Sequence, residues 1–418
     1  QPIKYPMAGM KSHHVTIGVY DLESGDTLFL DTGQPRDQYL TNVAWGPEEK
    51  YIYVAVLNRD QNHMKLNRYD AESGQLDKTL FEEKHDAYVE PQVPAQFVPG
   101  RENQFIWQSR RDGYNHLYLY NTSGELIRQL TRGSWEVTGM HGFDASAENI
   151  FFSSTKESPL ERNLYRVNIR SEKISRITGD PGYHRPMINS TGDYIIDHYS
   201  SVDNPRIIQV LDKKGKTIRS LLQADNPMKD YNLGEMEIST LKAADGETDL
   251  YYRLIKPANF DPAKKYPAII YVYGGPHAQL VQNRWLGGAR LWQHFMAQKG
   301  YVMLTVDNRG SAARGHAFEN IIHRNLGRHE VADQMEGIKM LGNLDYVDQS
   351  RIGVHGWSYG GFMTTSLMLK HPESFKVGVA GGPVIDWKYY EVMYGERYMD
   401  KPQDNPDGYQ QANLKNYV

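Results

Sequence analysis

The chain has 418 residues and a formal net charge of −4, with 39% hydrophobic and 23% charged residues. That length asks for at least two packed domains, and a mildly acidic chain without a long basic run excludes nucleic acid as its main partner. The absence of cysteine rules out disulfides and thiolate metal sites. No stretch is long or apolar enough to span a bilayer, and the start Gln1-Pro2-Ile3-Lys4 is not a signal peptide.

In chain order, the first half repeats itself. Polar turn markers recur at Tyr20-Asp21-Leu22-Glu23-Ser24-Gly25, Tyr69-Asp70-Ala71-Glu72-Ser73-Gly74, Tyr120-Asn121-Thr122-Ser123-Gly124, Val167-Asn168-Ile169-Arg170-Ser171-Glu172 and Leu211-Asp212-Lys213-Lys214-Gly215. Their separation of about 44 to 51 residues is close to one four-stranded propeller blade. Runs such as Tyr51–Val56, Gln104–Ser109, Asn149–Ser154 and Asp193–His198 read as inner blade strands. Unrelated hairpins in a sandwich are the alternative, and the regular period favours the propeller. Residues 1–235 are therefore expected to form four blades and a partial first one. Propellers close on themselves to hide their edges, so a partial first blade implies sequence upstream.

The character changes near Leu233-Gly234-Glu235. Residues 236–418 open with a hairpin, Ile238–Leu241 and Leu250–Ile255, around Ala243-Ala244-Asp245-Gly246. Ala268–Tyr273 and Tyr301–Val306 are continuous apolar runs, Trp292–Gln298 and Glu330–Leu341 have helical spacing, and Arg351–His355 and Val377–Ala380 read as further strands. Strands alternating with helices predict a parallel sheet covered by helices on both faces.

Ser358 lies in Gly356-Trp357-Ser358-Tyr359-Gly360-Gly361, between the strand Arg351–His355 and an apolar helix Phe362–Leu369. A serine at such a strand-turn-helix bend, with glycine two positions either side, fits the nucleophile elbow of α/β-hydrolases. The flanking glycines are needed because Cβ atoms there would clash. The Tyr359 N–H and a second donor after Ala268–Val272, either the Tyr273 phenol or a glycine N–H, are positioned for an oxyanion. A serine needs a histidine base oriented by a carboxylate, and the order in this fold is Ser, Asp or Glu, then His. His371 lies too close to the end of the elbow helix to swing back, and His355 points into the sheet or its covering helices. The chain is thus expected to lack its base and the base's carboxylate. Trp387-Lys388-Tyr389-Tyr390-Glu391-Val392-Met393-Tyr394 is expected to be helical, with Trp387, Tyr390, Glu391 and Tyr394 on neighbouring faces. It forms either an aromatic slot with an amine anchor or a core stripe with one solvated glutamate.

These segments resemble the dipeptidyl peptidase IV branch of the prolyl oligopeptidase family of serine peptidases. The nucleophile motif is Gly356–Gly361 and the oxyanion segment is Tyr271-Val272-Tyr273-Gly274-Gly275-Pro276. Similar runs are Asp307-Asn308-Arg309-Gly310-Ser311 and Leu326–Gln334, and Trp387–Tyr398 resembles the helix that carries the proline pocket. The resemblance implies a β-propeller and an α/β-hydrolase domain, both partial, and an exopeptidase that cuts proline-containing peptides after Xaa-Pro or Xaa-Xaa-Pro. It gives Ser358, Tyr273 and Tyr359 catalytic roles and lines the substrate site with Tyr359, Val384, Trp387, Tyr390, Glu391 and Tyr394. Glutamate at 391 tilts the expectation toward prolyl tripeptidyl peptidases. No metal or cofactor is implied; the family often dimerises, and export to the periplasm or beyond is what the resemblance implies. The family's amine-binding acids are expected before Gln1, because Glu48-Glu49 and Glu82-Glu83 lack their context. The triad Asp and His are expected after Val418, leaving an inactive internal fragment. Two other readings share features: a propeller-based binding protein with a vestigial hydrolase module, and an acylaminoacyl hydrolase or esterase.

Overall fold

The computed structural model describes residues 5–418; the segment Gln1–Lys4, read above as no signal peptide, lies outside them. Four four-stranded antiparallel sheets follow one another in sequence, over residues 38–84, 96–129, 137–176 and 183–223, after a two-stranded ribbon, Gly18–Tyr20 with Thr27–Phe29. Each is a simple up-and-down meander, as short strands joined by tight turns require. The apolar cores lie between consecutive sheets. Phe105, Trp107, Tyr118 and Tyr120 pack with Tyr53, Ala55 and Leu66 of the sheet before, while Ile106, Leu117 and Leu119 pack with Ile150, Phe152 and Tyr165 of the sheet after. The turn markers also hold neighbours together. A Cβ at Gly124 would stand 2.2 Å from the carbonyl oxygen of Leu80, so this turn tip fits only as glycine against the outer strand of the preceding sheet.

From Met236 a single six-stranded mixed sheet takes over. Met236–Lys242 and Asp249–Ile255 form the expected hairpin, and Asp249–Ile255 pairs antiparallel with Val302–Val306. Val302–Val306, Tyr266–Tyr271, Val347–Trp357 and Val377–Gly381 then run parallel in that spatial order. The side chains alternate between two buried faces. Leu254, Ala268, Ile270, Leu304 and Val354 meet Val331, Leu341, Phe362 and Leu367 of the helices His329–Gly342 and Tyr359–Lys370. Ile255, Ile269 and Met303 meet Trp292, Met296 and Ala297 of the helix Leu291–Gln298 on the other face. A β-propeller followed by an α/β-hydrolase domain is the architecture of the chain.

Two observations place the hydrolase against the propeller. Residues before the first ribbon cross onto the hydrolase: the Ala8 N–H donates to Tyr390 O at 3.0 Å and the Val392 N–H to Pro6 O at 2.9 Å. A buried ion-pair network then spans the two parts. Arg59 of the propeller pairs with Glu396 at 2.8 Å, Arg397 of the hydrolase with Glu90 at 2.8 Å, and Arg110 with Glu319 at 3.0 Å.

Candidate active site

Three parallel strands end at one edge, releasing Val272-Tyr273, Asp307-Asn308 and Ser358 into neighbouring loops. Ligands collect at this edge of open α/β sheets because the loops are free of the covering helices. Ser358 turns the chain with φ 58° and ψ −116° before the helix Tyr359–Lys370 begins. A non-glycine residue at positive φ is strained and persists only where its surroundings hold it. Here the Ser358 N–H donates to Gly381 O at 2.8 Å and its carbonyl accepts from the Phe362 N–H at 3.0 Å. The surrounding glycines have no alternative: a Cβ at Gly356 would lie 2.3 Å from Gly360 O, and one at Gly360 2.3 Å from Val272 O. Ser358 remains partly exposed, at the mouth of the bend.

The Tyr273 side chain adjoins it. Burial raises the phenol's pKa and the neighbouring Ser358 hydroxyl draws it back. The loop after Tyr273 is fixed from behind, because Asn308 Nδ2 donates to Gly274 O at 2.9 Å and is itself oriented by Gln334 Nε2, 2.8 Å from Asn308 Oδ1. Arg309 closes the bracing with a fork onto Asp333, Nη2–Oδ1 2.7 Å and Nε–Oδ2 2.9 Å, in a buried setting. Asn308 and Gln334, from the Asp307–Gly310 and Leu326–Gln334 runs, thus hold the loop that follows Tyr273.

Aromatic rings meet next to Ser358. Trp387, only 1% exposed, has ring centroids of Tyr359 at 5.5 Å, Tyr390 at 5.2 Å and Tyr394 at 5.9 Å, with Tyr394 stacked on it. Tyr273 adds its ring 6.0 Å from that of Tyr359. Val384 lies beside Tyr390, lining a hollow with Pro383 and Asp386.

One expectation is corrected here. Trp387–Tyr394 is not one helix. A short turn, Trp387–Tyr389, ends at Tyr390 (φ −84°, ψ 162°), and a separate helix runs from Val392 to Met399. The break exists because the strand-like pairing of Met7 with Glu391 captures the backbone at that point. Glu391 caps the second helix, its carboxylate accepting from the N–H groups of Met393 at 2.8 Å and Tyr394 at 2.7 Å, as an acid before a helix start does. The aromatic side chains still converge, through the bend rather than along a helical stripe.

The histidines fall as expected. His371 caps the C-terminal end of the elbow helix. His355 turns to the opposite face, its Nδ1 2.8 Å from Val379 O and its ring 5.3 Å from that of Trp292. Among the described residues, no histidine is hydrogen-bonded to Ser358.

Two features escaped the sequence reading. One is Glu330, fully buried behind the slot, whose carboxylate accepts from the Tyr359 phenol and, at 3.0 Å, from the Gly327 N–H. Burial pushes it up to about 7, against the pull of those two donors. The other is the interdomain network, which begins at His277, four residues past Tyr273. His277 reaches Glu90 at 2.9 Å and Glu319 at 3.2 Å. Burial would raise Glu90, but His277, Arg397 and Arg110 outweigh it and hold it at about 2. Glu90, His277 and Glu319 come within ligand reach of one another. Arg110 and Arg397 already neutralise those carboxylates, so the cluster reads as an ion-pair network rather than a cation site.

Comparison with known proteins decides the family. The model described as dipeptidyl peptidase IV N-terminal region matches residues 1–206, and that of the prolyl oligopeptidase family matches residues 289–418. The chain belongs to the prolyl oligopeptidase family. It is 30% identical to dipeptidyl peptidase 8 of Mus musculus, over 97% of this chain and 54% of the relative. A crystal structure of a candidate dipeptidyl aminopeptidase IV from Bacteroides ovatus ATCC 8483 superposes with a TM-score of 0.95 at 49% identity, covering 99% of this chain and 62% of that one. Porphyromonas gingivalis dipeptidyl peptidase 4 superposes with a TM-score of 0.92 at 31% identity, covering 99% and 58%. The chain spans about half the length of the curated relatives it matches. Among the described residues, no helix is long and apolar enough to cross a membrane.

Proposed function

We propose that the protein is a serine exopeptidase that releases Xaa-Pro dipeptides or Xaa-Xaa-Pro tripeptides from peptide N-termini. The observation that carries this reading is the strained, partly exposed Ser358 beside the Tyr273 phenol, next to the Tyr359, Trp387, Tyr390 and Tyr394 rings. A proline ring is flat, apolar and rigid, so it stacks in such a slot at little entropic cost. With the ring seated between these aromatics and Val384, Ser358 Oγ attacks the carbonyl that follows it. The developing oxyanion takes hydrogen bonds from the Tyr273 phenol and the Tyr359 N–H, which sits at a helix start where free N–H groups favour negative charge.

Glu391 is the residue we assign to the substrate's ammonium. Its carboxylate holds two N–H groups and retains lone pairs, since a carboxylate accepts about four hydrogen bonds. Glutamate at this position favours tripeptide release over dipeptide release. Ser358 needs a histidine base oriented by a carboxylate, and we propose that without such a pair beside it the protein turns over no peptide amide. We further propose export to the periplasm or beyond and a homodimeric assembly, on the family resemblance. The deciding experiment compares Gly-Pro and Ala-Ala-Pro chromogenic amides, with free and acetylated N-termini, on the full-length protein. Cleavage only of free-amine substrates with proline before the cut is expected. Equal cleavage of acetylated substrates would move the assignment to an acylaminoacyl hydrolase or esterase, and no cleavage of any would favour a binding protein.

A further inference from the structure

Glu330 is in an unusual position for an acid. It has no exposed surface, and its Oε2 has no hydrogen-bond partner. The nearby carboxylate of Asp333 takes the Arg309 guanidinium and Lys339 of the same helix pairs with Glu336, so among the described residues neither cation forms an ion pair with Glu330. Satisfying the Gly327 N–H at the start of that helix is the local explanation. A glutamine reaches back to such an N–H without burying a charge, so the local role alone does not account for the residue. What Glu330 adds is the bond from the Tyr359 phenol. The rest of that ring is held only by packing: the Gly275 backbone lies flat on it, where a Cβ would come within 2.6 Å of Tyr359 Cγ, and Phe362 meets it edge-on at 5.4 Å. Packing alone holds the outer end of the ring loosely, because small tilts of its Cβ–Cζ axis exchange one contact for another. The phenol oxygen lies on that axis, so a directional hydrogen bond there fixes where the far end of the ring stands.

We propose that Glu330 is a positioning residue: by anchoring the Tyr359 phenol it fixes the back wall of the aromatic slot and so sets selectivity for proline before the cut bond. This rests on the exopeptidase reading above. The slot discriminates proline from alanine by contact with a rigid ring, and a wall that can tilt loses that contact for proline while alanine never made it.

The test uses the full-length protein with matched amides carrying proline or alanine before the cut. Glu330→Gln keeps an acceptor of the same shape; Glu330→Leu removes it at similar volume; Tyr359→Phe removes the donor. Glu330→Gln is expected to stay within about threefold of wild type on both substrates. Glu330→Leu and Tyr359→Phe are expected to raise KM for the proline substrate about tenfold with kcat changed less than threefold, and to lower the proline-to-alanine ratio of kcat/KM about tenfold. The double variant is expected to be no worse than either single one, as members of one interaction are. An unchanged ratio, or equal losses on both substrates, overturns the proposal; should Glu330→Leu not fold, Tyr359→Phe decides on the same criteria. If wild type itself spares proline substrates, the exopeptidase reading falls. The anchor is then judged in crystal structures of the variants: a Tyr359 ring in its wild-type place in Glu330→Gln, and tilted or split over two positions in Glu330→Leu, supports it. The same single position in all three refutes it.

Discussion

Gly360→Ala sets two effects of opposite sign against each other. Gly360 sits in the first turn of the elbow helix, where alanine is the better helix former by about 1 kcal/mol. Its added Cβ would stand 2.3 Å from Val272 O and 3.1 Å from Tyr273 Cα. The first contact is roughly 1 Å inside an ordinary carbon–oxygen approach. Both obstructing atoms belong to backbone just past the strand Tyr266–Tyr271, held to the elbow strand by the Val272 N–H on His355 O at 2.9 Å, so the elbow itself must move. Overpacking of this kind costs about 1–3 kcal/mol, enough to cancel the helix gain and leave a net loss of up to about 2 kcal/mol. The consequence for chemistry is larger. A shift of about 1 Å separating Ser358 from Tyr273 is expected to lower kcat/KM by about 100-fold. Thermal unfolding and kcat/KM on a proline amide, both on the full-length protein, read the two effects. Gly342→Ala is the control, since a Cβ there meets only the flexible Gln349 side chain at 3.3 Å, and it is expected to leave both unchanged or slightly raise stability. A Gly360→Ala protein as active and as stable as wild type would refute the steric account of the elbow.

Tyr273→Phe removes the phenol we propose as an oxyanion donor and is expected to lower kcat about 100- to 1,000-fold with little change in KM; a change in KM alone would assign Tyr273 to binding. Asp333→Ala strips the buried Arg309 guanidinium of its fork and the Ala244 N–H of its acceptor but leaves the guanidinium Asp245 at 2.8 Å, so the expected cost in denaturant unfolding stays below the roughly 3–5 kcal/mol of a fully stranded charge; a loss under about 1 kcal/mol would show the fork to be incidental. The interdomain network carries a pH signature. Glu90 is held down to about 2, so its contribution is complete above the ordinary glutamate range and is lost as pH falls toward 2. His277 is raised by its bond to Glu90, so its contribution is complete below the ordinary histidine range and is lost as pH climbs through its raised value. The stabilising effect of the network is therefore expected to peak between about pH 4.5 and 6.5; a melting-temperature difference between wild type and Glu90→Gln that does not change with pH would contradict it.

The two-part architecture was legible because its signals are local and periodic. Turn markers every blade, ending in residues such as Gly124, and continuous apolar strands such as Val302–Val306 depend on neighbours in sequence. The elbow was legible for the same reason: Gly356, Ser358 and Gly360 state a backbone geometry within five residues. Where the reading failed, the deciding contact came from far away. The helical spacing of Trp387–Tyr394 was sound on its own terms, but Met7 captures the backbone at Glu391 from nearly the other end of the chain. Glu330 carried no signal of its own, since an acid in the first turn of a helix is ordinarily a solvated cap. Only its burial against Tyr359 sets it apart. His277 gave no hint of Glu90, because partners contributed by separate domains leave no common spacing in either.

The most direct measurement is covalent labelling of the full-length protein with a proline-containing diphenyl phosphonate bearing a free amine, followed by peptide mass mapping. The account predicts a single adduct on Ser358, abolished in Tyr273→Phe at short exposure and outcompeted by a proline peptide. An adduct on another serine, or labelling indifferent to the proline peptide, would contradict it.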